Sequence, residues 1–343
     1  MAIRRPDRRL NDMVDDRPLI WFERPVLPAL AAVVDASCLV LGPGSPADHY
    51  DGIDRAVAAL AGSARFDEAA MDRAPGLRVI ARTGIGYDSV DIGAATDRGI
   101  AVTNTPDGPT ISTAEHAVML ILMAAKRVVP SVAALEAGSA DNYYARQEGI
   151  ELAGKTIGLI GLGRIARRVA AIAGAIGMRV VAFDPYIDPA SAPVGVELAG
   201  TLDDLLPVAD VVSVHIPLTD ASRGVFDARR FAAMKRGAVF VNTARGGIVD
   251  QAALVGALDD GHLYGAGLDV TDPEPLPVGH PLLDRDDVVV TPHIASATAD
   301  GKLRSLESAF EQALAVLHGE RPEHLVNPEV WEHVVGARAV GSH

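Results

Sequence analysis

Cysteine is almost absent: Cys38 stands alone in a chain of 343 residues. No disulfide can form within one chain, and a reducing compartment is the natural reading. Long hydrophobic runs are also missing. The longest apolar stretch, Ala117–Ala125, is far too short to span a bilayer. The N-terminus carries four arginines by position 9 with no apolar run behind them, so it does not read as a signal peptide. Residues 1–17 read as a frayed, charged tail, and we expect a soluble cytoplasmic protein. Positive charge is in short supply, with 31 Lys and Arg against 45 Asp and Glu and a formal net charge of −14. A nucleic-acid partner would need a concentrated basic surface, so this balance argues against one. A single basic pocket for a small anionic substrate remains compatible with it. There is no Gly-x-Ser-x-Gly elbow, which removes the usual α/β-hydrolase reading. The histidines show no H-E-x-x-H or similar spacing, so no metal is assigned.

What is present points to a globular protein with many sharp turns. Apolar residues make up 49% of the chain, with 33 glycines and 22 prolines. Its length is that of two domains. Short apolar runs of strand length occur at Leu19–Phe22, Cys38–Leu41, Ala56–Leu60, Leu77–Ala81 and Ala101–Thr103. Helix-like stretches separate several of them, at Pro28–Ala36, Asp67–Ala74 and Asp91–Gly99, with Gly99 placed as a C-cap glycine. Such alternation predicts parallel strands with crossover helices.

A longer helix is predicted from about Thr113 to Arg127, then a loop over Glu136–Gly149. A second strand series follows at Thr156–Ile160, Arg179–Phe183, Val211–Val214, Val239–Asn242, Tyr264–Leu268 and Val288–Thr291. Six strands with intervening helices are what a dinucleotide-binding domain requires. After Pro292, Leu303, Leu306, Phe310, Leu314 and Leu317 recur at helical spacing. A chain that opens with one α/β series and closes with a lone helix is expected to return to its first domain. The expected fold is therefore α/β with two doubly wound parallel sheets. A Rossmann domain over 113–297 is inserted into a discontinuous flavodoxin-like substrate domain over 18–112 and 298–335. The connections are expected to act as hinges over a cleft.

Gly161, Gly163 and Ala166 form a G-x-G-x-x-A pattern directly after one strand and before the helix Ile165–Ala175. Gly161 allows a tight turn, Gly163 lets backbone approach a pyrophosphate, and Ala166 permits close helix–strand packing. The helix N-terminus adds free N–H groups and a positive dipole end. The next strand ends in Asp184, 21 residues beyond Gly163. A carboxylate there would accept from adenosine ribose hydroxyls and repel a 2′-phosphate, favouring NAD over NADP. The alternative is that Asp184 only caps a turn before Pro185.

Three later segments break from an apolar strand into polar residues: Asn242–Gly247, Gly267–Pro275 and Thr291–Ser296. Polar groups just past the carboxyl ends of parallel strands line the ligand crevice of such sheets. Arg245 can grip a carboxylate in a bidentate fork and polarise a carbonyl. His293 can exchange a proton with a carbonyl oxygen as hydride arrives or leaves. Glu274 beside His293 would favour the imidazolium. A surface salt bridge for Arg245 and a helix cap for His293 are the competing readings.

These residues lie within a longer set of ordered motifs. They include Arg82–Asp88, Asn104–Pro106, Ala114–His116, Leu152–Ile165, Val214–Thr219 and Val326–Pro328. From about residue 18 to Val330 the chain resembles the D-isomer-specific 2-hydroxyacid dehydrogenases, the phosphoglycerate, hydroxypyruvate and D-lactate dehydrogenases among them. The resemblance implies catalytic roles for Arg245, Glu274 and His293. Backbone N–H groups of Ile85 and Gly86 would hold the substrate carboxylate together with Arg245. It also implies NAD contacts at Gly161, Gly163, Arg164, Ile165, Asp184, Ile216, Pro217, Thr243, Ala244, Arg245, His293 and Ser296, with Asp269 on the nicotinamide carboxamide. The helix after Thr113 resembles one used for dimerisation, so a homodimer is expected.

Departures from the family pattern bear on the substrate. Glu274 argues against the formate branch, which has glutamine there. Asp184-Pro-Tyr186 is similar to the phosphoglycerate branch, but Gly62 stands where that branch carries a phosphate-binding arginine, and no C-terminal regulatory domain is expected. Asp107-Gly-Pro109 departs from the usual turn near the substrate, and Tyr143-Tyr144 falls in a loop where relatives often carry tryptophan. We expect an NAD-dependent 2-keto acid reductase acting on hydroxypyruvate or glyoxylate. Phosphoglycerate oxidation, or NAD sensing as in the C-terminal-binding-protein corepressors, are the alternatives.

Overall fold

A computed structural model describes residues 16–139, 141, 142, 144 and 148–333. Residues 1–15 of the charged tail, Tyr143 and 334–335 of the expected first domain lie outside the described residues. The chain divides into two compact units. Of the described residues, 16–83, 89–104 and 309–333 form one, and 84–88 and 105–308 form the other.

The first unit is built on strands β1 (Leu19–Phe22), β2 (Leu39–Leu41), β3 (Ala58–Ala61), β4 (Val79–Arg82) and β5 (Ala101–Thr103). They pair in parallel in the order β2-β1-β3-β4-β5, the doubly wound flavodoxin-like arrangement. Every residue of β3 and β5 is buried, which is why these segments read as continuous apolar runs. The helices Glu68–Asp72 and Ile92–Asp97 start where Asp67 and Asp91 accept from the N–H three residues on. Each such cap contributes roughly 1 kcal/mol. Trp21, Phe66, Ile80 and Val102 share the core. The wholly buried Asn327 accepts from Val102 N–H and donates to Ile100 O, fastening the returning chain beside β5.

The second unit holds β6 (Thr156–Ile160), β7 (Arg179–Phe183), β8 (Val196–Leu198), β9 (Val211–Val214), β10 (Ala238–Asn242), β11 (Leu263–Leu268) and β12 (Val288–Val290). All pairs are parallel, in the order β12-β11-β10-β9-β6-β7-β8. Alternation along β10 sends Ala238 and Phe240 into one core and Val239 and Val241 into the other, so both faces are covered. The helix Thr110–Lys126 buries Ala114, Ala117, Leu120 and Ala124 on the second face.

Two elements add to the expected set. The unit has seven strands rather than six, because Val196-Glu-Leu198 pairs with β7 at the sheet edge. The long helix ends at Arg127, whose φ is +53°, and a second helix, Val128–Glu136, leaves at 60°. No single described helix is long and apolar enough to cross a membrane. This bent pair meets the criterion by length and composition only, and its first helix is largely core.

Candidate active site

The seven-stranded sheet reverses its strand order between β6 and β9, and the glycine turn lies just past β6. Gly161 has φ +91°, and a Cβ there would stand 2.8 Å from His215 O and 2.9 Å from Ile216 Cγ2. Glycine alone meets both conditions. Gly163 caps the helix Arg164–Ala175 without any side-chain cap, and nothing lies within 4 Å of where its Cβ would be. That is a cradle of backbone N–H groups suited to a pyrophosphate. Asp184, half-buried at the end of β7, accepts from Leu162 N–H at 2.9 Å and Tyr186 N–H at 3.0 Å, one on each oxygen. The fixed carboxylate keeps lone pairs for ribose hydroxyls. Arg164 is paired with Asp107 of the divergent turn at 2.9 Å, both side chains being exposed. Ile165 and Ile216 are half-buried and Pro217 is exposed.

Past β10, Asn242 shapes the next turn: its Oδ1 accepts from Ala244 N–H and its Nδ2 donates to Arg245 O, each at 2.9 Å. The buried hydroxyl of Thr243 has no hydrogen-bond partner among the described residues. An orphaned donor past the carboxyl end of β10 fits a site that receives a polar ligand. These residues fit a dinucleotide.

Arg245 donates through Nε to Asp88 at 2.7 Å and through Nη1 to Ala244 O at 2.7 Å. Its Nη2 lies 1.5 Å from where a Gly86 Cβ would stand, so a side chain at 86 would displace the guanidinium. Ile85, half-buried, precedes Gly86 in the same loop. The arginine and the expected carboxylate-binding loop are therefore brought together. Asp88, which orients Arg245, was overlooked in the sequence although it closes the Arg82–Asp88 motif.

Glu274 follows β11 and His293 follows β12, so Arg245, Glu274 and His293 leave three neighbouring strands. His293 Nδ1 is hydrogen-bonded to Glu274 Oε1, and both side chains keep partial exposure. This leaves Nε2 as the nitrogen open to a substrate. The His293 backbone is left-handed, with φ +52°. Such a conformation costs about 1–3 kcal/mol and persists only where the surroundings fix it.

Asp269, 1% exposed, supplies that fixing. Its carbonyl accepts from His293 N–H at 2.9 Å. Its Oδ1 accepts from Thr291 Oγ1 at 2.6 Å and Ile294 N–H at 2.9 Å, and its Oδ2 from Ala295 N–H at 2.8 Å. Burial alone would raise the Asp269 pKa, but hydrogen bonds from His116, Thr291, Ile294 and Ala295 hold it below the ordinary carboxylate range. The expected carboxamide contact would have to use the spare capacity of Oδ2. Ser296 follows directly, half-buried.

A doubly wound sheet with a glycine turn and a carboxylate at the second strand end defines a dinucleotide-binding protein. Comparison with known proteins carries this to a family. Residues 118–295 match the D-isomer specific 2-hydroxyacid dehydrogenase, NAD binding domain. The D-3-phosphoglycerate dehydrogenase of Methanocaldococcus jannaschii is 41% identical over 268 residues, covering 78% of this chain and 51% of that protein. The glyoxylate reductase of Thermofilum pendens is 42% identical over 272 residues, covering 78% of this chain and 79% of the relative. The structure of Aquifex aeolicus D-lactate dehydrogenase complexed with NAD and lactic acid superposes with a TM-score of 0.77 at 27% identity, covering 90% of this chain and 99% of that one. The chain belongs to the D-isomer specific 2-hydroxyacid dehydrogenase family. It spans about half the length of the phosphoglycerate dehydrogenases that it matches.

Proposed function

We propose that this protein is an NAD-dependent 2-keto acid reductase, with Arg245, Glu274 and His293 as its catalytic residues and hydroxypyruvate or glyoxylate as its substrate. The observation that carries this reading is the His293–Glu274 hydrogen bond one strand away from an arginine packed on Gly86. Arg245, with the N–H groups of Ile85 and Gly86, binds the substrate carboxylate and turns C2 toward the histidine. His293 delivers a proton from Nε2 to the carbonyl oxygen, and in the reverse direction removes it from the hydroxyl. Glu274 fixes the histidine tautomer at Nδ1 and stabilises the imidazolium. Bound NAD would supply or accept the hydride at C2. The glycine turn with Arg164 and Ile165 holds its phosphates, Asp184 its ribose and Asp269 its carboxamide. Ile216, Pro217, Thr243, Ala244 and Ser296 line the rest.

The relatives named for phosphoglycerate and for glyoxylate leave two substrates in view. Gly62 favours the unphosphorylated one, since it offers no side chain to a phosphate. Residues 18–112 with 298–335 are taken as the substrate domain and 113–297 as the cofactor domain, in a cytoplasmic homodimer. The exposed apolar residues Leu122, Val128, Val132 and Leu135 fit a second copy, which light scattering would detect.

The test is NADH oxidation at about 340 nm across hydroxypyruvate, glyoxylate, pyruvate, 2-ketoglutarate and phosphohydroxypyruvate, repeated with NADPH. Rapid NADH-dependent turnover of an unphosphorylated member is expected. Silence across the panel with NADH still bound would overturn the reductase reading in favour of a sensor.

A further inference from the structure

His116 lies on the helix Thr110–Lys126 with its side chain 11% exposed. Its Nε2 is 2.9 Å from Thr291 Oγ1 and 3.3 Å from Asp269 Oδ1. The direction of these bonds follows from the acceptors. The Asp269 carboxylate can only accept, so the single Thr291 hydroxyl proton points to it across 2.6 Å. Thr291 Oγ1 then has only lone pairs to offer His116. Nε2 must carry a proton, since a bare nitrogen there would face two acceptors within the protein.

His116 is thus the outermost donor of a buried chain running His116, Thr291, Asp269. The chain ends on the turn that carries His293, because Asp269 binds the N–H groups of residues 294 and 295 and its carbonyl binds that of 293. A left-handed histidine at φ +52° needs such a clamp on both sides. Nothing in the proton transfer itself uses His116, and no other described function absorbs it.

We propose that His116 is a positioning residue for the reaction: by donating from Nε2 to Thr291 and Asp269 it fixes the Asp269 carboxylate, and through it the turn that aims His293 at the substrate. The inference rests on the role of His293 proposed above. His116 acts through the Asp269 carboxylate and the turn that it holds.

Three variants test it in the full-length protein: His116→Leu, which keeps bulk but removes the donor; His116→Gln, whose amide reproduces a donor near Nε2; and Thr291→Val. His116→Leu should lower kcat about tenfold or more with the keto-acid KM within about twofold, whereas His116→Gln should keep most of kcat. Thr291→Val should reproduce the loss, and the double variant should be no worse than either single one, as for members of one chain. Amide hydrogen exchange gives a readout independent of activity. The 293–295 amides should exchange about tenfold faster in His116→Leu, with those of β11 and β12 unchanged. A His116→Leu protein with normal kcat and protected 293–295 amides would overturn the inference. So would a His116→Gln protein as impaired as the leucine variant, or losses that add. If the wild type reduces no 2-keto acid, the reductase reading fails, while the exchange experiment still decides whether His116 holds the turn.

Discussion

Each of the two sheets reverses its strand order once, and each presents backbone N–H groups at that point, yet the two sets are used differently. In the seven-stranded sheet the N–H groups after β6 belong to a helix start with no side-chain cap, beside an open Gly163. In the five-stranded sheet the reversal lies between β1 and β3. There the N–H groups of Gly62, Ser63 and Ala64, with the Ser63 hydroxyl, all donate to Glu23, which is 8% exposed. Burial works to raise the Glu23 pKa, but these donors hold it below the ordinary range. Three successive N–H groups in a turn form an anion-binding concavity. Topology supplies such a concavity in both units. In the first unit Glu23 takes every one of these donors, whereas in the second Asp184 takes only Leu162 N–H of the turn and the N–H groups at the start of the helix Arg164–Ala175 have no side-chain cap.

The comparison breaks most readily at its glycines. Gly161→Ala should raise the NADH Kd by about 100-fold or more, since both its φ and the 2.8 Å approach to His215 O forbid a side chain. Gly62→Ala, whose Cβ would stand 3.2 Å from Glu23 Oε2, should change it less than about twofold. Fluorescence titration of NADH distinguishes the two, and equal losses would erase the contrast. Acid should separate the units next. Desolvation lowers His215, beneath the glycine turn, from 6.5 to about 4. Its folded pKa lies below the unfolded one, so the stability it contributes is present above about pH 6.5 and is lost as pH falls toward 4, up to about 3 kcal/mol. Glu23 is also depressed, but from 4.5, so the first unit should begin to weaken only below that value. Hydrogen exchange at pH 7 and pH 5 should show protection falling in the seven-stranded sheet first. Loss in the other sheet first would contradict both assignments. Asp184→Ala should have a smaller effect than Gly161→Ala, weakening NADH about tenfold while leaving NADPH nearly unchanged. Unaltered selectivity in a parallel titration would remove the ribose assignment.

Much of this arrangement was legible in the chain. Five strands, Leu19–Phe22, Ala101–Thr103, Thr156–Ile160, Arg179–Phe183 and Val211–Val214, have the boundaries read from the sequence. Strands buried on both faces are continuous apolar runs between turn residues. Strand Val196–Leu198 was not legible, because a three-residue edge strand with Glu197 at its centre carries no such run. The helix Val128–Glu136 was missed because the left-handed Arg127 breaks a single apolar pattern in two. The glycine turn, Asp184, Arg245, Glu274 and His293 stand out at strand ends. Their supports do not. Asp88 lies 157 residues from Arg245, His116 lies 175 from Thr291, and Glu23 lies about 40 from its nest. Contacts of that separation appear only once the strands are paired.

The central claim is that His293 performs proton transfer at a site otherwise built for NAD and a 2-keto acid. It is tested most directly by turnover and NADH binding in His293→Gln. The account predicts kcat lower by about 1,000-fold with NADH Kd within about twofold of the wild type. A variant that keeps near-normal turnover would contradict it.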